Sequence, residues 1–344
     1  MIKVAIANDT LVTLEALRRV IATNTAYELI WTARDGADAV ERCTHNTPDL
    51  ILMDLSMPGL DGVEATKRIM ARSPCAILIV TASINSNTAR IFEAMGHGAL
   101  DVVATPVLGP KTTPGTIAAA AQPLLTKMAT VSAFIGKSVR RSSRYRKSER
   151  ERAVSHRPRP LIVIGASTGG PKAIAQIVSQ LPATLSAGVV VIQHIDQQFS
   201  SGFADWLNIQ SQLPVRIAKA GEHIQPGQVL VAGTNEHLVM KRDRTLAYMG
   251  TQSPTVYRPS VDVFFRSVAQ HWPSPGQAVL LTGMGQDGAQ GLHALQTTGW
   301  QTIAESKDSC VVYGMPRAAV ELGAADQVLS VSAITKALIN GLSA

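Results

Sequence analysis

Short apolar runs of strand length alternate with segments of helical period along the N-terminal third of the chain. The runs lie at 2–7, 29–32, 50–53, 76–81 and 100–103. Five successive strand–helix units predict a doubly wound parallel sheet with helices on both faces. Ligands bind at the carboxyl ends of such strands, and Asn8, Asp9, Asp54 and Thr81 lie at those ends.

The same alternation returns after residue 160 and predicts a second α/β domain with a mostly parallel sheet. Buried strands are predicted at 161–164, 189–193 and 278–281. Ser167, His194 and Asp287 each follow the end of one of these strands. Because the carboxyl ends of parallel strands share one edge of a sheet, the three side chains are expected on that edge.

Positive charge is concentrated in one segment. The net charge is +7, yet ten lysines and arginines lie within 137–159, opposed only by Glu149 and Glu151. We therefore predict an N-terminal domain (1–125), an exposed basic linker (126–159) and a catalytic domain (160–344). A solvated charge run is the ordinary interpretation of such a segment. An acidic partner surface is another, whereas a nucleic-acid arm would contain more interleaved aromatic residues than this segment has.

Composition excludes several classes of protein. With 46% hydrophobic residues and no apolar run near the ~20 residues that span a bilayer, the chain predicts folded domains without membrane insertion. The N-terminus has no basic leader before an apolar stretch, so a cytoplasmic location is expected. Cys43, Cys75 and Cys310 are far apart in the sequence and are interpreted as separate buried thiols in a reducing compartment.

The run LIVIGASTGGPKAI predicts a buried strand, a tight turn at Ser167 and a helix that starts near Pro171. A serine on such a turn projects its hydroxyl above the sheet, as a hydrolase nucleophile does. The unpaired N–H groups at the helix start suit a developing oxyanion. The same pattern also forms phosphate cradles, and a purely structural turn is a third interpretation. The turn alone leaves all three open.

A serine nucleophile needs a base within hydrogen-bond reach and a carboxylate that orients the base. His194 in VIQHID is the candidate base. Asp196 is too close to it in sequence to be the obvious orienting carboxylate, whereas Asp287 lies on a glycine-flanked loop that can turn sharply. Asp262 in PSVDVFF is a rival, although its position suits a helix N-cap.

Two carboxylates are expected to meet at the edge of the first sheet. Asp9 and Asp54 would repel each other unless they share a cation, and an oxygen-only site suits Mg²⁺. The cation would screen an incoming phosphoryl group and allow a carboxylate to attack phosphorus. Thr81 at the end of the next strand adds a hydroxyl to this group.

The motifs LMDLSMPGLDG and LIVTAS, after the early Asn-Asp pair, resemble those of two-component receiver domains. This resemblance implies that Asp54 is the phospho-acceptor. It also implies that Asp9, Asp54 and the carbonyl of Ser56 bind Mg²⁺, and that the Thr81 hydroxyl is the switch that turns toward the phosphoryl group.

Three positions depart from the receiver pattern. Asn8 stands where a second acidic residue is common, and Val102 stands where many receivers carry an aromatic switch residue. Thr105 replaces the lysine whose ammonium would pair with the phosphoryl group. Without that cation, the way in which phosphorylation is read out is expected to differ. In this departure the chain resembles family members attached to surface-sensing chemosensory systems.

Four motifs in order make residues 160–330 resemble the chemotaxis protein-glutamate methylesterases: GASTGGP, QHID, RPSVDVFF and LLTGMGQDG, with ESKDSCVVYGMPRAA also fitting. A receiver, a basic linker and an esterase in that order is the architecture of that family. The resemblance implies that Ser167 is the nucleophile, His194 the general base and then acid, and Asp287 the orienting carboxylate. The backbone N–H of Met284 becomes a candidate oxyanion donor.

The methylesterase resemblance implies a function as well. Glutamyl methyl esters on methyl-accepting chemotaxis receptors would be hydrolysed without a cofactor, and some members also deamidate glutamines. A histidine kinase would be the phosphodonor, and the unphosphorylated receiver would pack over the esterase site. Recruitment to receptor arrays is expected, with the basic linker steering the enzyme toward acidic surfaces.

Two alternatives come from other classes of protein. A phosphorylation-controlled dinucleotide-binding protein would use GASTGG as a phosphate loop and Asp196 as the ribose ligand. Substitution of Ser167 by alanine would abolish an esterase and barely affect nucleotide binding. A response regulator with a DNA-binding output would need a helix-turn-helix, which nothing in 161–344 predicts.

Overall fold

The computed structural model describes residues 1–82, 84–108, 114–135, 160–250 and 257–342. The basic segment, 137–159, lies wholly outside the described residues. Within the described part of the chain, no helix is long and apolar enough to cross a membrane.

The N-terminal domain is built on the predicted five-stranded parallel sheet. Its strands are β1 (Ile2–Ala7), β2 (Tyr27–Ala33), β3 (Leu50–Met53), β4 (Ala76–Thr81) and β5 (Asp101–Ala104). Its helices are α1 (Leu11–Ala22), α2 (Gly36–His45), α3 (Gly62–Arg72), α4 (Ile84–His97), α5 (Pro114–Ala120) and α6 (Gln122–Ile135). The strand order is β2-β1-β3-β4-β5, with every neighbouring pair parallel, which confirms the predicted doubly wound sheet.

Burial on both faces explains why these strands are short continuous apolar runs. All four residues of β3 are buried, as are the last five of β4, which is the pattern of a parallel sheet covered by helices. Strand β2 starts earlier than predicted because Tyr27, buried and paired with Ile2, extends the ladder.

Helix α6 belongs to the core of the N-terminal domain. It follows α5 after a break at Ala121 and buries Leu124, Met128 and Val131 beside the sheet. The helix therefore continues past residue 125, where the predicted linker begins. The division into 1–125, 126–159 and 160–344 stays a prediction.

The C-terminal domain has a seven-stranded sheet in the order β14-β13-β12-β6-β7-β9-β8. Its strands are β6 (Leu161–Ala166), β7 (Gly188–Gln193), β8 (Val215–Ile217), β9 (Val229–Val231), β12 (Gln277–Leu280), β13 (Gln301–Glu305) and β14 (Gln327–Leu329). All described pairs in this sheet are parallel. A separate antiparallel hairpin, β10 (His237–Met240) and β11 (Leu246–Met249), makes the domain mostly rather than wholly parallel, as predicted.

In the part of this domain that the structure describes, six helices surround the sheet. They are α7 (Gly170–Val178), α8 (Gln197–Gln210), α9 (Val261–His271), α10 (Ala289–Thr297), α11 (Met315–Glu321) and α12 (Val331–Leu342). Helices α7 and α9 matter most for the site, because each begins at the carboxyl edge of the sheet.

The two domains pack directly against each other through α4 and α8. The ring of Phe92 on α4 lies 5.1 Å from the ring of Phe203 and 5.7 Å from that of Trp206. A Cβ atom at Gly202 would come within 1.7 Å of a Thr88 methyl carbon, so α8 requires glycine at this close approach. Buried apolar residues consequently form one continuous cluster across the junction.

Candidate functional site

Ser167 lies on a sharp turn between β6 and α7, as predicted. The turn passes through Gly169, whose φ of 79° falls in the left-handed region that favours glycine. A side chain there would also collide with Val311, since a Cβ atom would lie 2.6 Å from the Val311 Cβ. The serine itself is 8% exposed, at the carboxyl edge of the sheet.

Neighbouring strands hold the backbone of Ser167 from both sides. Its N–H donates to the carbonyl of Thr282 at 3.0 Å, just beyond β12. Its carbonyl accepts from the N–H of Gly170 and from Nε2 of Gln193, each at 2.8 Å. The position of the hydroxyl is therefore set by three elements rather than by the turn alone.

His194 is the neighbour of Ser167 on the adjacent strand. Ala166 of β6 pairs with Gln193 of β7, and each candidate residue comes next in its chain. Since paired strands lie about 4.8 Å apart, the backbones of the two residues are neighbours at the sheet edge. The N–H of His194 also donates to the carbonyl of Ala166 at 3.0 Å, which continues the register of β6 and β7 to this position.

The imidazole of His194 is held by a carboxylate and an aromatic ring. Its Nε2 lies 2.7 Å from Oδ2 of Asp287, and the ring of Tyr257 stacks on it at 4.6 Å with an interplanar angle of 5°. Among the described residues, the buried Nδ1 has no hydrogen-bond partner. With Nε2 bound to the carboxylate, Nδ1 is the nitrogen that can accept a proton.

Asp287 lies at the N-terminus of α9 and accepts several hydrogen bonds. Its carboxylate receives the Ser260 hydroxyl at 2.7 Å and the N–H groups of Val261 and Asp262 at 2.6 and 3.1 Å. Burial alone would raise the pKa of Asp287, but the hydrogen bonds from His194, Ser260 and Val261 outweigh it and the pKa is lowered. The carboxylate is consequently ionised at neutral pH and can orient His194.

The two rival aspartates have other partners. Asp196 caps α8, accepting the N–H of Gln198 at 3.1 Å, and Asp262 accepts the N–H of Gly291 at 2.6 Å. The expected N-cap role of Asp262 is wrong, because α9 starts at Val261 and its cap is Ser260. The hydroxyl oxygen of Ser260 accepts from the N–H of Val263 at 3.3 Å.

The backbone before Met284 touches the candidate nucleophile. A Cβ atom on Gly283 would lie 2.7 Å from the Cβ of Ser167. The N–H of Gly283 donates to the carbonyl of Val312 at 3.0 Å, and its carbonyl accepts from the N–H of Met315 at 2.9 Å. Met284 therefore follows a fixed residue beside Ser167, and its role as oxyanion donor stays a prediction.

A second cluster lies at the edge of the N-terminal sheet around Asp54. Nδ2 of Asn8 donates to Oδ2 of Asp54 at 2.9 Å, and the N–H of Ser56 donates to Oδ1 at 3.2 Å. Burial raises the pKa of Asp54, and the negative charge of Asp9 raises it further. The two carboxylates are thus close enough to repel each other, as expected for a pair that a cation would bridge.

Comparison with known proteins decides the family. The CheB methylesterase model matches residues 162–338, and the response regulator receiver domain model matches residues 4–111. The chain belongs to the CheB methylesterase family. The methylesterase resemblance is therefore confirmed, and the dinucleotide-binding alternative finds no support.

Close relatives of this family member extend over its whole length. Protein-glutamate methylesterase/protein-glutamine glutaminase 2 of Pseudomonas syringae pv. syringae B728a is 51% identical, covering 98% of both chains. The enzyme numbered 3 in Pseudomonas aeruginosa PAO1 is 48% identical, again covering 98% of each. The crystal structure of the Thermotoga maritima CheB methylesterase catalytic domain matches with a TM-score of 0.50 and 37% identity, covering 53% of this chain and 97% of that one.

Oxygen ligands make the receiver edge compatible with Mg²⁺. Asp9 and Asp54 supply two carboxylates, and the backbone at Ser56 adds a carbonyl to this hard donor set. Among the described residues, no group of three or more histidines, cysteines or carboxylates is placed to hold a metal ion. The ligands Asp9, Asp54 and Ser56 therefore remain a prediction.

One departure from the receiver pattern, Thr105, lies beside the predicted switch residue Thr81. Thr81 is buried at the end of β4, and its carbonyl accepts the N–H of Thr105 at 3.0 Å. A threonine has no charge to offer a phosphoryl group. Arg90, a cation on α4, has partners of its own: its guanidinium donates to the carbonyl of Leu55 at 3.0 Å and to Asp61 at 2.7 Å. Val102 is buried within β5.

The receiver reaches the turn that carries Ser167. The carbonyl of Leu100 accepts the N–H of Gly169 at 3.2 Å, and the hydroxyl of Thr168 lies 3.5 Å from Oδ2 of Asp101. Asp101 also pairs with Lys127 on α6. The residues on either side of the junction are thus tied within two positions of the candidate nucleophile.

Glu305 is a buried carboxylate that holds Thr282, the residue bonded to the backbone of Ser167. It is 0% exposed, accepting the N–H of Thr282 at 2.8 Å and the Ser309 hydroxyl at 2.9 Å. The Thr282 hydroxyl in turn donates to the carbonyl of Thr168 at 3.0 Å. Burial raises the pKa of Glu305. This carboxylate therefore anchors the segment that holds the Ser167 backbone.

Sequence reasoning assigned no role to Tyr257, Ser260 or Glu305. A serine before the apolar start of α9 is a recognisable N-cap signal, so Ser260 could have been found. The stack of Tyr257 on His194 joins two distant loops, and no local pattern announces it. Glu305 ends an apolar strand, where only the tertiary fold decides whether a carboxylate is buried.

Proposed function

We propose that the chain is a phosphorylation-regulated protein-glutamate methylesterase acting on methyl-accepting chemotaxis receptors in sensory adaptation. The observation that carries the proposal is the pairing of His194 with the buried, ionised Asp287 beside Ser167. Deamidation of receptor glutamines is the same acyl transfer with ammonia in place of methanol as the leaving group.

The esterase reaction follows from the roles of the three side chains. Oγ of Ser167 attacks the ester carbonyl carbon while Nδ1 of His194 accepts its proton. The tetrahedral oxyanion forms next to the N–H of Met284, the proposed donor. His194 then protonates the departing methoxide, which releases methanol and leaves an acyl-enzyme.

Hydrolysis of the acyl-enzyme restores the catalyst. His194 removes a proton from water, the resulting hydroxide attacks the acyl carbon, and the protonated histidine returns its proton to Ser167. The product is a free glutamate carboxylate on the receptor. Asp287 stays ionised throughout and stabilises the imidazolium, since its other hydrogen bonds hold it in that form. This sequence needs no cofactor.

Regulation is proposed to start at Asp54. Its carboxylate attacks a phosphoryl group supplied by a histidine kinase. Mg²⁺, when held by Asp9, Asp54 and the carbonyl of Ser56, neutralises charge on the acceptor and the phosphoryl group. The hydroxyl of Thr81 then turns toward the phosphate, which loosens the packing of α4 on α8 and uncovers the turn at Ser167. The contact between Leu100 and Gly169 supports this coupling.

The partners follow from charge and substrate chemistry. Demethylation restores negative charge to a receptor helix, and the positive charge of this chain is concentrated in 137–159. We propose that this segment steers the enzyme to receptor arrays in the cytoplasm through salt-sensitive attraction. Attachment to a surface-sensing system stays a prediction based on Thr105.

Methanol release from methylated receptor tests the proposal. Wild type and Ser167→Ala are compared, each with and without a small-molecule phosphodonor and Mg²⁺. We expect release that depends on Ser167 and rises with the phosphodonor. Asp54→Asn should keep the basal release and lose the rise. Release that Ser167→Ala leaves intact would overturn the assignment of the nucleophile.

A further inference from the structure

Two cysteines of the receiver lie in contact although 32 positions separate them in the sequence. Sγ of Cys43 on α2 lies 4.0 Å from Sγ of Cys75, which directly precedes β4. Cys43 is buried and Cys75 is partly exposed. The interpretation of the cysteines as separate thiols is therefore incomplete, because the fold brings two of them together.

The two cysteines differ in how the fold holds them. Cys75 follows Pro74 in the connection between α3 and β4, outside regular structure, whereas Cys43 lies within α2. A disulfide bond is about 2.05 Å long, so the two sulfurs need to close by roughly 2 Å. The proposal requires that this closure come from side-chain rotation and a shift of the connection at Cys75.

The contact between the two thiols moves their pKa values in opposite directions. It lowers the pKa of the Cys43 thiol against the effect of burial, whereas the same contact and burial raise the pKa of the Cys75 thiol. Sγ of Cys43 also lies 3.6 Å from the carbonyl of Ser73. A buried thiol thus faces a partly exposed one, which is the arrangement of a resolving thiol behind a more accessible thiol.

We propose that Cys43 and Cys75 are a redox modification site that closes into a reversible disulfide, with a small disulfide such as oxidised glutathione as the oxidant. Cys75, the more accessible of the two thiols, loses its proton as its sulfur attacks one glutathione sulfur and expels a glutathione thiolate. The Cys43 thiolate then attacks Sγ of Cys75 and expels the second one. Two electrons pass to glutathione, and the two cysteine protons end on the released thiols.

The third cysteine is an internal reference. Cys310 lies in the methylesterase domain, with its Sγ 3.8 Å from the carbonyl of Glu305. Burial and the charge of Glu305 raise the pKa of its thiol. Cys310 should consequently remain reduced under conditions that oxidise the receiver pair.

Closure of the pair would cross-link the core of the receiver. The loop between Cys43 and Cys75 includes β3, Asp54 and α3. A cross-link of this length restricts the unfolded chain and stabilises the folded one. Oxidation should therefore raise the thermal midpoint of the receiver transition by about 5 °C or more.

Thiol counting on the full-length protein tests the proposal. The purified chain is equilibrated with rising ratios of oxidised to reduced glutathione, quenched in acid, and its free thiols are counted after denaturation. We expect the count to fall from three to one, with peptide mass spectrometry showing a Cys43–Cys75 cross-link. Excess dithiothreitol should restore three thiols and the original thermal midpoint.

Variants separate this outcome from other oxidations. Cys310→Ser should fall from two thiols to none, whereas Cys75→Ser should keep both of its thiols and its thermal midpoint. The wild-type mass spectrum provides the test even if a variant fails to fold. A stable glutathione adduct on Cys75 with Cys43 still free, a dimer linked through Cys75, or an unchanged count of three would each overturn the proposal.

Discussion

Two partly buried aspartates at the carboxyl edges of two parallel sheets differ in the direction of their pKa shift. Burial acts on both Asp54 and Asp287, yet the pKa of Asp54 is raised and that of Asp287 is lowered. Asp287 faces the start of α9 with its N–H groups and the imidazole of His194, whereas Asp54 faces the carboxylate of Asp9. Since burial acts on both carboxylates, their neighbours decide the direction of the pKa shift.

This difference separates a finished site, around Asp287, whose charge is balanced within the chain, from a conditional site, around Asp54, whose charge would be balanced only by a bound ion. The carboxylate of Asp287 has donors for both oxygens within the chain, so the proposed orienting group is in place without a ligand. The receiver cluster holds two like charges that a cation and a phosphoryl group would balance. A site that is always assembled can be controlled only by covering it, and the receiver contacts the turn at Ser167.

The largest expected effect comes from removing the charge of the finished site. In Asp287→Asn, one carboxylate oxygen is replaced by an NH₂ group, which cannot accept a hydrogen bond from His194 or from the N–H groups at the start of α9. Loss of the correct tautomer should lower kcat for methanol release by about 10³- to 10⁴-fold. Steady-state kinetics on methylated receptor measures this, with circular dichroism to verify folding.

Asp262→Asn is the matched control for that substitution. Asp262 is a neighbouring, partly buried carboxylate that accepts the N–H of Gly291, and its partial burial raises its pKa. It should keep most of the wild-type kcat, since its side chain makes no described contact with His194. An equal loss in both variants would mean that the effect comes from general disruption of α9.

Metal removal should disable the conditional site alone. Chelation of Mg²⁺, or the Asp9→Asn substitution, should reduce phosphoryl incorporation at Asp54 by about 100-fold, because like charges would then meet the incoming phosphate. Incorporation is measured by intact-protein mass spectrometry with a small phosphodonor. Basal methanol release should not change, and a parallel fall in that release would contradict the division between the two sites.

Undocking the domains should raise basal activity by a smaller factor. Phe92→Ala removes the ring that packs on Phe203 and Trp206, and a truncation of this size costs about 3 kcal/mol when fully buried. If only part of this packing free energy is lost between the two domains, basal methanol release should still rise about 10-fold. The response to phosphodonor should become smaller. Kinetics with and without the phosphodonor checks both.

A receiver substitution away from the junction provides the comparison for Phe92→Ala. Trp31 is buried on β2, where its indole N–H donates to the carbonyl of Asn46 at 2.8 Å. Trp31→Ala should lower the thermal midpoint of the receiver without raising basal release. A similar rise in both variants would attribute the activation to an unstable receiver instead of a lost contact.

Local patterns predicted the sheets because parallel strands buried on both faces leave a clear signal. The runs at β1, β3 and β4 coincide with their predicted bounds, and the turn at Ser167 follows from its glycines. The edge rule for parallel sheets then placed the candidate residues together. Periodicity and turn chemistry were sufficient for these features.

Contacts between distant segments could not be predicted in this way. The hydrogen bond from Ser260 to Asp287, the stack of Tyr257 on His194 and the contact between Cys43 and Cys75 each join segments that no local pattern relates. The choice between Asp262 and Asp287 stayed open for the same reason. It depends on which carboxylate meets the start of α9, and that is a property of the tertiary fold.

The smallest expected effect is a pH-dependent change in stability at Glu305. Burial raises its pKa in the folded chain, so its contribution to stability is full below the unfolded value of about 4.3 and is lost as pH rises through the folded value. Glu305→Gln keeps an acceptor for the N–H of Thr282, and the Ser309 hydroxyl can reverse its hydrogen bond. The variant should melt a few degrees higher than wild type at neutral pH, and the difference should vanish near pH 4. Differential scanning calorimetry across that range measures it. A variant that melts lower at every pH would show that the charge itself stabilises the segment behind Ser167. Glu305 would then differ both from Asp287, which is held by donors within the chain, and from Asp54, which is predicted to need a cation.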